Sequence, residues 1–322
     1  MTIGDFKKDA VKKLTLSPLA SQSPALDIEV LLMFRLKMTK TDLLLNYQKQ
    51  ISKEDLLWLS NAIKKRLEGL PIAYITNHKD FFGYNFFVTP EVLIPKPDTE
   101  ILVEQALNLI KERIKTSNSL KICDMCTGSG CIAISILRTL LDENIVSASF
   151  SPEFTLADIS EHALKIARYN EENIILKAKA NGDRVTFSQK IPHPFSYIKT
   201  NLFENVPETF DLILSNPPYV PAKLTDELLS DGRKEPRLAL DGDVDANGDR
   251  VKSSNGVKSS NGLSIIRSLI PQAKEHLNPN GTIFIETGEY NAEAAALIAE
   301  SHGFKTKIHK DLEGQLRVLE LN

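Results

Sequence analysis

Through the first 75 residues apolar positions recur at helical spacing, interrupted by helix-start signals. Ser23-Pro24 offers an N-cap and a first-turn proline before Leu26, Val30, Leu31 and Phe34, and Thr39 to Asp42 resembles a capping box before Leu43 to Leu45. A clearer helix opens at Ser52, with Asp55 three residues on, apolar positions at Leu56, Leu59, Ile63 and Leu67, and a stop at Gly69 and Pro71. The pattern then changes. From Tyr74 to Val92 aromatic and polar residues alternate through Phe81, Phe82, Tyr84, Phe86 and Phe87, as in a β-hairpin. Beyond residue 93 strand and helix signals alternate, with strands near residues 120, 154, 185, 212 and 282. This predicts a small helical domain over 1–75, a hairpin linker over 76–92, and an α/β domain over 93–322. In such a doubly wound, Rossmann-like sheet, ligands bind beyond the carboxyl ends of the strands.

Composition narrows the class. With 322 residues, 42% hydrophobic and 25% charged, the chain can bury a full core. No apolar run approaches the roughly twenty residues that span a bilayer, and the first residues lack a signal peptide's apolar core, so a cytoplasmic protein without a membrane partner is expected. A net charge of −3 gives no broad footprint for stable nucleic-acid binding. The basic run Lys64, Lys65 and Arg66 reads either as a solvated helix face or as a partner surface.

Two segments carry chemistry. Asn216-Pro217-Pro218-Tyr219 follows the apolar strand Phe210 to Ser215, so a stiff polar loop stands at a strand's carboxyl end. The two prolines fix φ and remove two N–H donors, leaving carbonyl acceptors. The Asn216 oxygen and the Pro217 carbonyl can together accept both hydrogens of a planar –NH2 group, which is what methylation of that nitrogen requires. Upstream, Leu120 to Met125 reads as a strand, Cys126, Thr127, Gly128, Ser129 and Gly130 as a glycine loop, and Cys131 to Leu137 as a helix. Gly128, Gly130 and Ala133 fit a Gly-x-Gly-x-x-Ala pattern that equally suits a dinucleotide. Asp158, expected to hold ribose hydroxyls, follows about thirty residues on, where the NAD spacing is roughly twenty. The Asn-Pro-Pro-Tyr loop tips the choice of ligand towards S-adenosylmethionine. Cys123, Cys126 and Cys131 include a Cys-x-x-Cys but no further ligand at zinc spacing, and the six histidines form no ligand pattern, so no metal is expected.

These motifs, with Val92-Leu93-Ile94-Pro95-Lys96-Pro97-Asp98-Thr99-Glu100, Glu235 to Leu240 and Lys310 to Val318, resemble the bacterial release factor glutamine methyltransferases, the PrmC/HemK family of class I S-adenosylmethionine enzymes. The resemblance implies a seven-stranded sheet with an antiparallel end, supplied by two extended stretches turning at Glu313-Gly314. It also implies N5-methylation of the glutamine in the Gly-Gly-Gln motif of class 1 peptide chain release factors, with S-adenosylhomocysteine as product. Asn216 and Pro217 would hold the amide, Pro218, Tyr219 and Leu93 would surround the glutamine side chain, and Leu202 would lie against the adenine ring. The family usually carries glycine at Cys126 and arginine at Lys96, so any carboxylate pairing of Lys96 should be looser. The segment 241–262, with Val-Lys-Ser-Ser-Asn-Gly twice over, is longer than in relatives and reads as a disordered insertion. Alternatives are an N6-adenine DNA or RNA methyltransferase, a glutamine methyltransferase of a ribosomal protein, an NAD-dependent oxidoreductase and a non-catalytic binding protein.

Overall fold

The computed structural model describes residues 1–17, 19, 23–147, 149–176, 194–245, 249 and 261–322. The chain divides into two compact units, Met1–His78 with Asp226–Lys234, and Lys79–Thr225 with Glu235–Asn322. No helix among the described residues is long and apolar enough to cross a membrane.

The first unit holds α1 (Ile3–Thr15), α2 (Pro24–Leu36), α3 (Lys40–Leu45), α4 (Lys53–Leu67) and α5 (Ile72–Thr76). Thr2 and Thr39 close reciprocal capping boxes with Asp5 and Asp42, and Ser52 accepts from the Asp55 amide. Ser23 makes no side-chain cap, so α2 starts on Pro24 alone. Ile3, Phe6, Ala10 and Leu14 form the inner stripe of α1 and pack with Ile28, Leu31 and Leu32 of α2 and Leu59, Ala62 and Ile63 of α4. At roughly 1.5–3 kcal/mol for each large apolar side chain, this stripe holds the unit together. Arg66, in the predicted basic run, meets Asp27 at 2.7 Å and is therefore partly internal. Asp226–Lys234 joins this unit without any periodic signal in the chain. Gly69, at φ +91°, shows why it can: a Cβ there would lie 2.2 Å from the Asp231 carbonyl oxygen.

In the second unit β1 (His78–Phe81) and β2 (Tyr84–Phe87) pair as the expected two-stranded sheet. The remainder comprises α6 (Glu100–Arg113), β3 (Ser119–Met125), α7 (Cys131–Asp142), β4 (Ser151–Asp158), α8 (Glu161–Glu171), β5 (Phe195–Lys199), β6 (Phe210–Ser215), α9 (Ala222–Leu229, of which the residues from Asp226 on belong to the first unit), α10 (Ser264–Glu275), β7 (Leu277–Glu286), α11 (Ala292–Ser301), β8 (Thr306–Lys310) and β9 (Leu316–Leu321). The seven strands lie in the order β5-β4-β3-β6-β7-β9-β8. β9 runs antiparallel to both neighbours, and the five strands from β5 to β7 pair in parallel. One face of the sheet is covered by α6 and α7 through Leu102, Val103, Ile134 and Leu137, the other by α10 and α11 through Ile266, Leu269, Ala295 and Ala299. The strand expected near residue 185 lies outside the described residues; β5 is at Phe195–Lys199.

The expectation of a disordered insertion over 241–262 needs correction at its ends, while the repeat at 251–260 lies outside the described residues. Asp241, Asp243 and Val244 are buried. Composition rich in aspartate and glycine reads as solvated, yet a buried carboxylate is stable where its acceptor sites are filled. Asp243 Oδ2 accepts from the amides of Gly262 at 2.9 Å and Ala222 at 3.3 Å, and Oδ1 from the Ser264 hydroxyl at 3.3 Å. Leu240 and Gly242 in turn exchange backbone hydrogen bonds with Val220, directly after the Asn-Pro-Pro-Tyr loop. Asp243→Ala is therefore expected to cost about 2–4 kcal/mol in urea unfolding, with Asp243→Asn losing less. A change in Asp243→Ala below about 0.5 kcal/mol would show that the segment does not brace the fold.

Candidate active site

Strand register builds the site. Met125 of β3 pairs with Ala157 of β4 on one side and Ser215 of β6 on the other, and Ser215 pairs with Ile285 of β7. The next residues along these four strands, Asp158, Cys126, Asn216 and Glu286, therefore stand in one row at the carboxyl edge of the sheet. The Ser215 hydroxyl donates to the Met125 carbonyl at 2.8 Å and stitches the two central strands at that level. Between β3 and β6 the chain turns away in opposite directions, so a crevice opens at the switch point.

The glycine loop fills the β3 side of that crevice. Cys126, Gly128 and Gly130 all have positive φ, at 63°, 54° and 77°. Thr127 donates its amide to the Ala157 carbonyl at 3.0 Å, and Gly130 its amide to the Thr127 carbonyl at 2.8 Å. Asp158 accepts from the Gly128 amide at 2.9 Å through Oδ2 and from the Ser160 amide at 2.8 Å through Oδ1. Each oxygen keeps a lone pair for a ligand hydroxyl. Burial pushes the Asp158 carboxyl up, against these backbone hydrogen bonds. Asn170 of α8 holds the loop from outside, donating to the carbonyls of Ser129 at 2.9 Å and Phe87 at 3.0 Å. Beneath it Asp124 Oδ2 accepts from the Thr127 hydroxyl at 2.7 Å, while Oδ1 is buried without a partner, and desolvation raises this carboxyl to about 7. The cysteines are thiols at neutral pH: burial pushes Cys131 up to about 12, and Cys123 and Cys126 rise for the same reason.

On the β6 side Asn216 donates through Nδ2 to the Thr99 hydroxyl at 3.1 Å, which leaves Oδ1 as the free end of the amide. Tyr219 donates its hydroxyl to Glu286 Oε1 at 2.9 Å, and its carbonyl accepts from Asn291 at 3.0 Å. Lys96 does pair with a carboxylate, through one contact of 2.6 Å to Glu235. Arg317 bridges Asp98 at 3.2 Å and Asp311 at 3.0 Å. The conspicuous segments found by sequence thus meet around one crevice.

A cavity of about 300 Å³ occupies it. Leu93, Cys126, Thr127, Gly128, Ser129, Asp158, Asn216 and Pro218, all predicted site residues, reach its wall. Four others stand behind: Gly130 at the helix start, Pro217 buried, Leu202 in an apolar cluster with Met125 and Phe203, and Tyr219 against the same cluster. Asn201, not Leu202, is the wall residue of that stretch. Leu202, at φ 48°, is turned inward by its apolar side chain. A Cβ on Gly128 would meet nothing within 4 Å, so the loop backbone faces open space there.

Comparison with known proteins agrees with this geometry. Residues 10–76 match the family described as PrmC N-terminal domain, and residues 100–231 that described as methyltransferase small domain. A release factor glutamine methyltransferase of Rhodopirellula baltica is 32% identical over 306 residues, covering 94% of this chain and 90% of that protein. One of Coxiella burnetii is 32% identical over 323 residues, covering 99% and 98%. The chain belongs to the release factor glutamine methyltransferase family. Cys126 occupies a left-handed position, at φ 63°, where glycine is at ease.

Sequence reasoning gave Glu286 and Asn201 no role and quoted Thr99 only within a motif. For Glu286 a signal existed: it follows Thr282 to Ile285 as Asn216 follows Phe210 to Ser215, a polar residue at the carboxyl end of an apolar run.

Two outcomes follow for this site. Gly128→Ala should fold with a loss near 1 kcal/mol from its positive φ, yet weaken S-adenosylmethionine binding at least tenfold by calorimetry. Gly130→Ala should lose more stability, because its Cβ would lie 2.7 Å from Ile134 Cδ1 and 3.1 Å from Ala167 Cβ. The buried acids also set a pH dependence. Burial raises Asp124 and Glu286 to about 7 in the fold from their ordinary values of 3.8 and 4.5, so the folded state binds the extra protons in between. Their contribution to stability is full below about 4 and is lost as pH rises through about 7. Urea midpoints measured over that range should show the Asp124→Asn variant with a shallower decline than wild type.

Proposed function

We propose that this chain transfers a methyl group from S-adenosylmethionine to the side-chain nitrogen of the glutamine in the Gly-Gly-Gln motif of class 1 peptide chain release factors. The observation that carries the reading is the shared level of Cys126 and Asn216 on adjacent strands, within a chain of this family. When bound, S-adenosylmethionine supplies a methyl group on an electron-poor sulfur. The Cys126 to Gly130 loop would take its methionine end and Asp158 its ribose hydroxyls, with Asn201 lining the same stretch of wall.

An amide nitrogen is a weak nucleophile because its lone pair is delocalised into the carbonyl. The site must therefore orient it. Asn216 Oδ1 and the Pro217 carbonyl accept the two amide hydrogens, and their hold strengthens as the nitrogen gains positive character during methylation. Fixing such near-attack geometry can supply roughly 7–11 kcal/mol. Proline at both central positions keeps the acceptors from relaxing towards each other. Leu93 and Pro218 give the glutamine methylenes an apolar wall, with Tyr219 packed against the apolar cluster behind the loop.

The test is mass spectrometry of a class 1 release factor incubated with the enzyme and S-adenosylmethionine, with duplex DNA as the competing acceptor. One added methyl on the Gly-Gly-Gln peptide and none on DNA is expected; methylated adenine would overturn the reading. Asn216→Ala should lower the turnover number at least tenfold while calorimetric S-adenosylmethionine affinity stays within about twofold.

A further inference from the structure

The Asn-Pro-Pro-Tyr loop is held at its two ends by two short turns from distant parts of the chain. Thr99 closes the first turn, Pro97–Thr99, by donating its amide to the Lys96 carbonyl at 3.1 Å. Its hydroxyl takes Nδ2 of Asn216, the first residue of the loop, at 3.1 Å. The second turn, Arg237–Ala239, is closed by the Ala239 amide on the Pro236 carbonyl at 3.0 Å. Directly after it, the Leu240 carbonyl accepts at 2.9 Å from the amide of Val220, the residue that follows the loop. A side-chain contact joins the turns: Lys96 Nζ donates to Glu235 Oε1 at 2.6 Å. It closes a ring from Asn216 through Thr99, Lys96, Glu235 and Leu240 to Val220. Being charge-assisted, this link is roughly twice as strong as a neutral hydrogen bond.

We infer that Lys96 is a positioning residue of the methyl transfer: clasped to Glu235, it holds the two turns at one separation and so keeps the Asn216 amide on Thr99, with Oδ1 as its free end. The inference rests on the methyl-transfer reading and deepens it. The partners differ in exposure. The Glu235 side chain is 2% exposed and sits in the body of the fold, whereas the Lys96 side chain is 38% exposed and lines the cavity. A lysine stem is flexible, and without a fixed acceptor its ammonium turns to water. The first turn then keeps its other tie, Asp98 to Arg317 of β9 at 3.2 Å, so the ring loosens while the turn stays folded. A loose ring is enough to matter. Misplacing a reacting group by about 1 Å can cost about a hundredfold in rate, so a smaller drift of Asn216 accounts for a tenfold loss. Arginine in place of Lys96 would keep the charge and could take both carboxylate oxygens.

The experiment uses the full chain in single-turnover methylation of a class 1 release factor, with calorimetry of S-adenosylmethionine binding. Alongside, NMR of protein labelled with 15N-asparagine reads the water exchange of the Asn216 side-chain NH2. Lys96→Met should lower the maximal rate about tenfold, about 1.4 kcal/mol, while the half-saturating release factor concentration and the S-adenosylmethionine affinity stay within about twofold. Glu235→Gln should lose a similar factor, the double variant little more than either, and Lys96→Arg should keep at least half the wild-type rate. Glu235→Gln preserves the shape of the buried side chain and serves in the comparison where Lys96→Met does not fold. The Asn216 proton held by Thr99 should exchange at least tenfold faster in either single variant than in wild type. Wild-type rate in the single variants, losses that multiply in the double variant, a Lys96→Arg as impaired as Lys96→Met, or unchanged exchange would overturn the inference while leaving the methyl-transfer reading intact. A wild type that methylates no release factor sinks that reading instead. The exchange comparison then still decides whether the clasp holds Asn216, because it needs no substrate.

Discussion

Parallel pairing of β4, β3, β6 and β7 in one register is the constraint on which the rest of the site depends. Side chains alternate across a strand, so a slip of one residue in any pair would send Asp158, Asn216 or Glu286 to the opposite face. The apolar faces of both layers specify the register, because Cys123, Met125, Ile213 and Ile285 point to one cluster while Ile122, Leu212, Leu214 and Phe284 point to the other. Core packing thereby aligns polar residues that never touch the core. The Ser215 hydroxyl on the Met125 carbonyl adds a fixed peg where the two chemical loops begin.

Against this apolar frame the site buries several carboxyl groups, and each is a cost that burial alone would not repay. Asp243 is the well-satisfied case, with three donors to its two oxygens. Asp124 and Glu286 are not, since each leaves one buried oxygen without a partner. Local disagreement with folding rules concentrates where a protein does its chemistry. Here both deficits sit directly under the loops that face the cavity, one below Thr127 and the other below Tyr219.

Much of the molecule was legible in the sequence, for reasons particular to each part. The Ser52 helix, the capping box at Thr39 and the final hairpin around Gly314 announce themselves through local chemistry, and local chemistry is what a single sequence displays. The two loops were legible because glycine and proline at strand ends restrict the backbone whatever surrounds them. What stayed hidden depends on contacts across long separations. Asp241 to Val244 reads as solvated until Gly262, Ala222 and Ser264 supply donors, and Asp226–Lys234 joins the helical unit through a backbone approach at Gly69 that leaves no periodic trace. Leu202 misled because neighbouring residues of a loop cannot be told apart until a left-handed turn decides which side chain goes inward.

A loop that is to grip an –NH2 group, as proposed for Asn216 and Pro217, cannot by itself distinguish its bearer, since a carboxamide and an aminopurine present the same two hydrogens. Selection must come from the walls. Those walls are the segment around Leu93 and Lys96 and the segment at Pro236, Leu238 and Ala239, drawn from distant parts of the chain and joined by the 2.6 Å contact of Lys96 to Glu235. A lysine makes that joint with one ammonium, where a guanidinium could bind both carboxylate oxygens at once. The second segment is further held by Arg237 on Asp241, at 2.9 Å, and so by the same buried turn that braces Val220. Acceptor geometry and wall geometry are therefore anchored to one turn.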